Sequence, residues 1–290
     1  MRTAPLSALT PAGPVLTDGQ FRKIAAIVHQ DSGIILSESK RSLLMARLNR
    51  RLRVLTLPDY GAYCDRLEGP DGPQERRHLL SAITTNVTAF FREGHHFQAL
   101  AQEVLPPLIA QARAGRRLRL WSAASSSGEE PYSMAVTLLD AFPDAAQHDV
   151  LILATDIDPE MVDRAQQGRF AADALAPVPP AQVKRYFQPH AAGFEAKPEV
   201  RRIMRFGELN LHDDWPFSGR FDVIFCRNTA IYFDSAARQR LWLRFGGALN
   251  EGGALFIGHS ERLDGPAAGL FAATGTTQYR RNATPASART

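Results

Sequence analysis

The sequence after Gly115 alternates between short apolar runs and longer amphipathic segments, and this alternation restricts the fold more than any other feature of the chain. The apolar runs have the length and composition of buried strands, and the segments between them have helical spacing. The four runs are RLRLWSA at 117–123, DVLILATDID at 149–158, FDVIFCRN at 221–228 and GALFIGHS at 253–260. Such alternation is typical of a mostly parallel sheet with right-handed crossovers and helices on both faces. The sequence therefore predicts an α/β protein with a doubly wound, Rossmann-like sheet.

The region before the sheet, from Asp18 to Leu100, has only helical periodicity. Apolar residues recur at steps of three and four, and the turn sequences DSG, LPDY and EGPDGP divide the region into helices. We therefore expect two domains flanked by tails: a disordered tail at 1–17, a helical domain with its linker at 18–92, a sheet domain at 93–282 and a second tail at 283–290. Within the sheet domain, EVRRIMRFGELNL at 199–211 looks like short paired strands. This predicts a small antiparallel β-subdomain at about 185–209.

The composition is that of a soluble globular protein, with 44% apolar and 22% charged residues. The apolar runs are far shorter than the roughly 20 residues of a membrane span. Pro5, Pro11 and Pro14 interrupt an N-terminal segment that lacks the pattern of a secretion signal, so we expect a cytoplasmic protein. The two cysteines have unlike contexts, and the neighbours His95 and His96 would point about 100° apart on a helix, so neither a disulfide nor a metal site is expected.

The segment KRSLLMARLNRRLR at 40–53 concentrates positive charge, since it contains six basic residues and no acid. Leucines at every fourth position line one face of the predicted helix, and arginines occupy its other sides. Arg41, Arg47, Arg50 and Arg53 are therefore candidate contacts for an acidic partner or for nucleic acid. The alternative is a solvated basic surface without a partner.

The stretch LWSAASSSGEEPYSMAV at 120–136 places Glu129 and Glu130 at the start of a helix that follows a strand. Helix N termini attract phosphate through free N–H groups and a partial positive charge, and two carboxylates make such a site unsuitable for phosphate. The acids either complement the helix dipole or belong to a site for a ligand that has hydroxyl groups or positive charge in place of phosphate.

Polar side chains also follow the other predicted strands, at the edge where a doubly wound sheet binds its ligands. Asp156 and Asp158 follow the second strand, and Arg227 and Asn228 follow the third. A carboxylate at this place can accept both hydroxyls of a ribose, and we favour Asp156 because Asp158 before Pro159 is equally suited to cap a helix. S-adenosylmethionine, with a ribose and a sulfonium, fits such a crevice. NAD and ATP fit poorly because glycine-rich phosphate loops are missing.

The chain resembles the CheR type of chemotaxis-receptor glutamate methyltransferase, and the resemblance extends from about Phe21 to Arg281. Six blocks in sequence order carry it. They are TTNVTAFFREGHHF, LWSAASSSGEEPYSMAV, ATDIDPEM, ELNL, FDVIFCRNTAIYFD and GGALFIGHSERL. The resemblance implies a Rossmann-like methyltransferase sheet that binds S-adenosylmethionine, with an N-terminal all-helical domain and a small antiparallel β-subdomain insertion.

The resemblance also implies an activity and a set of site residues. The enzyme would transfer a methyl group from S-adenosylmethionine to glutamate carboxylates of chemoreceptors, leaving S-adenosylhomocysteine. Arg92 and Tyr232 would be the catalytic residues. The cofactor-binding residues would be Asn86, Thr88, Arg92, Glu129, Glu130, Asp156, Asn210, Leu211, Arg227 and Asn228.

The partners implied by the resemblance are the cytoplasmic methylation helices of chemoreceptors, which the basic segment at 40–53 would contact. We expect a monomer that meets the membrane only through receptors and does not bind nucleic acid. The sequence departs from the family at Thr229 and Ala230, and its hairpin region QPHAAGFEAKPEVRR is short, which predicts independence from a receptor C-terminal pentapeptide. The alternatives are a nucleic-acid methyltransferase and a cofactor-binding regulator without catalytic activity.

Overall fold

The structure is a computed structural model that describes residues 14–84 and 86–283. The chain divides into two compact units, Met1–Thr84 and Thr85–Thr290. Most of the two predicted tails lies outside the described residues, and the described part of the predicted linker, residues 86–92, belongs to the second unit. No helix among residues 14–84 and 86–283 is long and apolar enough to cross a membrane.

The first unit is all-helical, as predicted. Its helices are α1 (Asp18–Ser32), α2 (Arg41–Leu55), α3 (Tyr60–Glu68) and α4 (Gly72–Ile83). Thr17 and Gln20 form a capping box at the start of α1, and Asp59 caps α3 through the N–H of Ala62. The buried face of α2 consists of the leucines at every fourth position, Leu44, Leu48 and Leu52. The helical periodicity of the sequence therefore identifies the packing face of this unit.

The second unit contains ten strands and seven α-helices within the described residues. The strands are β1 (Leu118–Ala123), β2 (Val150–Asp156), β3 (Arg169–Phe170), β4 (Phe187–His190), β5 (Gly193–Ala196), β6 (Met204–Glu208), β7 (Phe221–Cys226), β8 (Leu249–Ile257), β9 (Phe271–Gly275) and β10 (Gln278–Arg281). The helices are α5 (His95–Ala99), α6 (Leu105–Arg113), α7 (Glu129–Ala141), α8 (Pro159–Gln167), α9 (Pro180–Tyr186), α10 (Pro198–Arg202) and α11 (Ser235–Ala248).

Seven of these strands form the central sheet, in the order β6-β2-β1-β7-β8-β10-β9. The pairs from β6 to β8 are parallel, and β10 runs antiparallel to β8 and to β9. Successive residues of β1 enter different cores, because Leu120 packs in the cluster that contains α7 whereas Trp121 packs in the cluster that contains α11. Helices thus cover both faces, and the doubly wound prediction is confirmed.

The small antiparallel sheet is also confirmed, but its residues differ from those predicted. It has the order β3-β5-β4, so it includes Arg169–Phe170 from outside the predicted insertion. The interpretation of residues 199–211 as paired strands is wrong. That segment completes α10 and then forms β6, which pairs in parallel with β2 at the edge of the central sheet. A five-residue strand at a sheet edge has too little periodicity to be distinguished from a hairpin strand by sequence.

Candidate active site

The candidate site lies outside the carboxyl ends of β1, β2 and β7. The strand order changes direction beside β1, because β2 lies on one side of it and β7 on the other. Doubly wound folds bind their ligands in the crevice at such a switch point. The polar residues predicted from the strand ends therefore belong to the same edge of the sheet.

The turn between β1 and α7 has a backbone that few residue types adopt readily. Ala124, Ser126 and Gly128 have φ values of 65°, 50° and 110°. A side chain at Gly128 would place its Cβ 3.1 Å from the backbone of α8, so it would be crowded as well as strained at this positive φ. This turn delivers Glu129 and Glu130 to the first turn of α7.

Asp156, the last residue of β2, is 5% exposed and accepts hydrogen bonds from the backbone N–H of Ser126 at 2.7 Å and of Asp158 at 3.0 Å. Burial raises the pKa of Asp156 to about 6, although the two N–H donors counteract part of the increase. Asp158 caps α8 through the N–H of Glu160 and accepts a second bond from Asn86 Nδ2 at 3.1 Å. Asp158 therefore has the helix-cap role that was its alternative to ligand binding, and Asp156 stays the predicted ribose ligand.

Glu130 forms a buried ion pair with Arg227, with 2.7 Å between Oε2 and Nε. Its other oxygen accepts a hydrogen bond from the Ser122 hydroxyl, also at 2.7 Å. Glu129 is less buried and accepts from the hydroxyl of Ser127. Each carboxylate oxygen has two acceptor positions, so these bonds leave capacity for a ligand. The predicted cofactor contacts of both glutamates stay predictions, whereas the two bonds of Glu130 connect the start of α7 to β1 and to the residue after β7.

Arg227 also holds the segment that precedes α5. Its Nη1 donates to the backbone oxygen of Arg92 and lies 3.3 Å from His96 Nδ1 and 3.9 Å from Glu93 Oε2. The guanidinium lies over the ring of Phe97, 5.3 Å from its centroid. Burial, followed by the charge of Arg227, lowers the pKa of His96 to about 4, so His96 is neutral at physiological pH.

Arg92, the predicted catalytic arginine, lies between two residues with strained backbone. Phe91 and Glu93 have φ values of 51° and 56°, a conformation that costs non-glycine residues on the order of 1–3 kcal/mol each. The N–H of Phe91 donates to the Ser133 hydroxyl at 2.9 Å, and Arg92 Nη1 donates to the backbone oxygen of Val87 at 3.0 Å. Strain of this kind persists only where surrounding contacts fix it, which is typical of functional sites.

Asn210 and Leu211 follow β6, next to β2 in the sheet. The Asn210 side chain accepts from the N–H of His212 at 3.0 Å, and Leu211 is buried. Thr88 is half-buried in the segment before Arg92. These three residues thus flank the crevice in sequence and topology, and their contact with the cofactor stays a prediction.

Asn228 and Tyr232 follow β7 in a loop whose backbone is held by an acid that sequence reasoning missed. Asn228 has φ of 58°, and Tyr232 ends a single 3₁₀ turn, Ala230–Tyr232. Glu261 is 3% exposed and accepts backbone N–H bonds from this loop. An acid four residues after a strand is usually a solvated loop residue, and the only sequence signal for Glu261 is its place in the block GGALFIGHSERL.

One cluster of potential metal ligands occurs within residues 14–84 and 86–283, formed by Glu93, His95 and His96, whose ligand atoms lie within 4.8 Å of one another. The buried imidazole of His96 already has Arg227 beside Nδ1 and a bond from Nε2 to Thr277 Oγ1 at 2.9 Å. A cation there would face the Arg227 guanidinium. The chemistry of this cluster therefore does not fit a metal ion.

The four arginines predicted to contact a partner differ in their surroundings within the helical unit. Arg41 pairs with Asp18 at 2.7 Å, and Arg47 donates to two carbonyl oxygens at the carboxyl end of α4, at 2.6 and 2.7 Å. Arg50 and Arg53 are exposed, and no ion pair or side-chain hydrogen bond joins them to other described residues. The structure thus assigns Arg41 and Arg47 internal contacts and leaves Arg50 and Arg53 available to a partner.

A doubly wound sheet whose switch-point crevice carries acids in place of a glycine-rich phosphate loop suits a nucleoside ligand that lacks phosphate. Comparison with known families specifies it further. Residues 86–280 match the family described as "CheR methyltransferase, SAM binding domain", and residues 19–84 match "CheR methyltransferase, all-alpha domain". The chain belongs to the CheR methyltransferase family.

Individual relatives agree with this assignment. The chain is 47% identical to a probable chemotaxis protein methyltransferase of Rhizobium etli over 258 residues, which cover 88% of this chain and 96% of the relative. It is 40% identical to the chemotaxis protein methyltransferase of Salmonella typhimurium and 41% identical to that of Escherichia coli, over 86% of this chain in each case and 85% and 86% of the relatives. The protein is therefore a chemotaxis-type methyltransferase with S-adenosylmethionine as methyl donor.

Proposed function

We propose that this protein methylates glutamate side chains of chemoreceptors and forms glutamate methyl esters. The observation that carries the proposal is the fixed position of Arg92 at the sheet edge. Arg92 lies between two residues with strained backbone, Phe91 and Glu93, and its backbone oxygen accepts a hydrogen bond from Arg227. A guanidinium has five N–H donors in a planar fork, which suits bidentate contact with a carboxylate. Relatives named chemotaxis protein methyltransferases support the same class of substrate.

The acceptor requires orientation rather than activation. A glutamate carboxylate has an ordinary pKa of about 4.3, so it is ionised at neutral pH without a catalytic base. S-adenosylmethionine supplies a methyl group on a sulfonium, which is a good leaving group. Arg92 would orient the carboxylate and Tyr232 would add one hydrogen bond. Strong binding of the anion would oppose reaction because its charge decreases in the transition state.

The cofactor would be held mainly by the acids at the strand ends. Asp156 suits a ribose diol because it ends β2, beside the switch point, and because its two backbone donors fix its orientation. Glu129 and Glu130 lie at the start of α7, where they exclude phosphate and suit a cationic ligand. Asn86, Thr88, Asn210, Leu211, Arg227 and Asn228 would complete this pocket.

The helical unit would provide a docking surface on α2 for the acidic methylation helices of receptors. Arg50 and Arg53 supply positive charge, and the exposed apolar residues Leu43 and Val54 belong to the same helix. Opposite charges increase association rate and specificity more than affinity. The enzyme would act as a cytoplasmic monomer and reach the membrane only through its receptors.

We further propose that the enzyme does not depend on a receptor C-terminal pentapeptide. Only Ala191 and Ala192 connect β4 to β5, so the small sheet has a tight hairpin in place of a long loop. Calorimetric titration with receptor-tail pentapeptides tests this, and we expect no binding in the micromolar range. A micromolar dissociation constant would show that the tether is used.

Methyl transfer from tritiated cofactor to membranes that contain each receptor of the same genome tests the activity. We expect label on receptor protein that mild base releases as methanol, because esters are base-labile. Stable label on RNA or DNA would instead indicate a nucleic-acid methyltransferase. Binding of S-adenosylhomocysteine without transfer to any receptor would indicate a regulator.

A further inference from the structure

The turn that follows β8, Gly258–Glu261, contacts the loop after β7 through the buried acid Glu261. The carboxylate of Glu261 accepts four backbone N–H bonds. Oε2 accepts from Gly258 at 2.6 Å and from Asn228 at 3.1 Å, and Oε1 accepts from Thr229 at 2.9 Å and from Ile231 at 3.3 Å. Three of the four donors belong to the loop that leads from β7 to Tyr232.

Two further contacts join the same turn to Asn228. Gly258 has no space for a side chain, since a Cβ there would lie 2.6 Å from Asn228 Nδ2 and 2.7 Å from its backbone nitrogen. His259 bonds through Nδ1 to Glu93 Oε1 at 3.0 Å, and the same oxygen accepts from Asn228 Nδ2 at 3.4 Å. Asn228 therefore has the Gly258–Glu261 turn on one side and Glu93, the neighbour of Arg92, on another.

We propose that Glu261 is a positioning residue of the methyl-transfer reaction: through the Asn228–Ile231 backbone, it fixes the left-handed conformation of Asn228 and the placement of Tyr232. The proposal rests on the proposed function, because Asn228 is its predicted cofactor contact and Tyr232 its predicted acceptor contact. In this role Glu261 would act through the loop backbone and not by contact with either ligand.

The chemistry of the carboxylate explains why an acid is needed at this position. Four N–H groups converge on one side chain, and only an ionised carboxylate offers acceptors at both oxygens. A glutamine would direct its NH₂ group at two of these donors, so at least two bonds would be lost and the loop would shift. Burial raises the pKa of Glu261, although backbone N–H donors that include those of Gly258, Asn228 and Thr229 oppose the increase. The backbone donors therefore offset part of the free energy that burial of the charged carboxylate costs.

The decisive comparison is between Glu261→Gln and Asp222→Asn. Asp222 is a buried acid at the amino end of β7, whereas Glu261 contacts the loop at the carboxyl end of the same strand. Asp222 is 3% exposed and accepts from the N–H of Arg119 at 2.9 Å and from Asn250 Nδ2 at 2.8 Å. It lies at the amino end of the strand, away from the crevice. Both substitutions remove a buried charge and its bonds, but only the first affects the loop that carries Asn228 and Tyr232.

We expect both full-length variants to lose thermal stability, and only Glu261→Gln to change the kinetics of the folded enzyme. Its kcat for receptor methylation should decrease by about 10- to 100-fold per cofactor-binding site, because a displacement near 1 Å in a reacting group can cost about two orders of magnitude. Its dissociation constant for S-adenosylhomocysteine should increase at least about threefold. Asp222→Asn should keep both constants within about twofold.

Gly258→Ala provides a second test if Glu261→Gln does not fold, because its Cβ would displace Asn228 while Glu261 stays intact. It should reproduce the lower kcat and the weaker binding. Unchanged constants per folded site in either variant would overturn the positioning role, as would equal kinetic losses in Asp222→Asn. If wild-type protein binds S-adenosylhomocysteine but labels no receptor, the proposed function fails, and the binding constants of the variants still decide the role of Glu261.

Discussion

Asp156 provides a prediction whose magnitude follows from its surroundings: the affinity for S-adenosylhomocysteine should decrease as pH falls below about 6. Burial raises the pKa of this carboxyl from 3.8 to about 6. The two backbone donors, from Ser126 and Asp158, fix its orientation but do not fully offset desolvation. A ribose diol donates two hydrogen bonds, and only the ionised carboxylate can accept both together with these N–H bonds.

The expected change is about tenfold between pH 7 and pH 5, which corresponds to about 1.4 kcal/mol. With a pKa near 6, about nine-tenths of Asp156 is ionised at pH 7 and about one-tenth at pH 5. The stability of the ligand-free protein should change with the opposite sign. Because the folded pKa is raised, the folded state holds this proton more tightly than the unfolded chain, so ionisation between about pH 4 and pH 6 removes stability, on the order of 3 kcal/mol at most.

Calorimetric titration of S-adenosylhomocysteine at several pH values measures the affinity, with Asp156→Asn as the control. The wild-type dissociation constant should increase about tenfold from pH 7 to pH 5, whereas the variant should bind weakly and with little pH dependence. Circular dichroism at each pH confirms that the protein is folded. A flat wild-type profile, or the same slope in Asp156→Asn, would refute the assignment of Asp156 as the ribose ligand.

Four further predictions concern other parts of the protein. Arg92→Ala should lower receptor methylation by two or more orders of magnitude with an unchanged thermal midpoint, and a near-normal rate would exclude Arg92 from catalysis. In Glu130→Gln and Arg227→Met, loss of one partner of the buried pair should cost about 3–5 kcal/mol in urea unfolding, and the double variant should cost less than the sum; additive losses would show that the pair is not coupled. Arg53→Glu should slow receptor methylation and reduce its sensitivity to salt while cofactor affinity stays the same. Arg47→Glu should mainly destabilise the helical unit, because Arg47 bonds carbonyls at the end of α4; stability equal to wild type would contradict that role.

The sequence predicted the elements with strong periodicity and failed where an element is short. Strands β1, β2, β7 and the second half of β8 are mostly apolar, and the leucines of α2 recur at every fourth position, so both patterns carry enough residues to be recognised. Met204–Glu208 has five residues at a sheet edge, and its burial alternates only weakly. Tertiary packing therefore decides which strand β6 pairs with, and β6 lies beside β2 and not in the small sheet.

Sequence reasoning also identified residue types at the candidate site more readily than their bonding partners. A glutamate at a helix start can be recognised from its position, but its pair with Arg227 joins residues that are 97 positions apart. The same limit applies to α2, where the positive charge of the segment predicted a partner contact for each of four arginines. Arg47 donates to carbonyl oxygens of another helix, and such a bond has no local signature in the sequence.

The distribution of backbone strain connects the fold to the proposed chemistry. Five of the seven non-glycine residues with positive φ, within residues 14–84 and 86–283, belong to the candidate site: Phe91, Glu93, Ala124, Ser126 and Asn228. Each conformation costs folding free energy, so neighbouring contacts must impose it. Those contacts are the Ser133 bond at Phe91, the Asp156 bond at Ser126 and the Glu261 bond at Asn228. Two of these three partners are buried acids, one at the carboxyl end of β2 and the other just after β8. Removing either acid should therefore relax a strained loop as well as delete a hydrogen bond, and the loss of function should exceed what its effect on stability alone would predict.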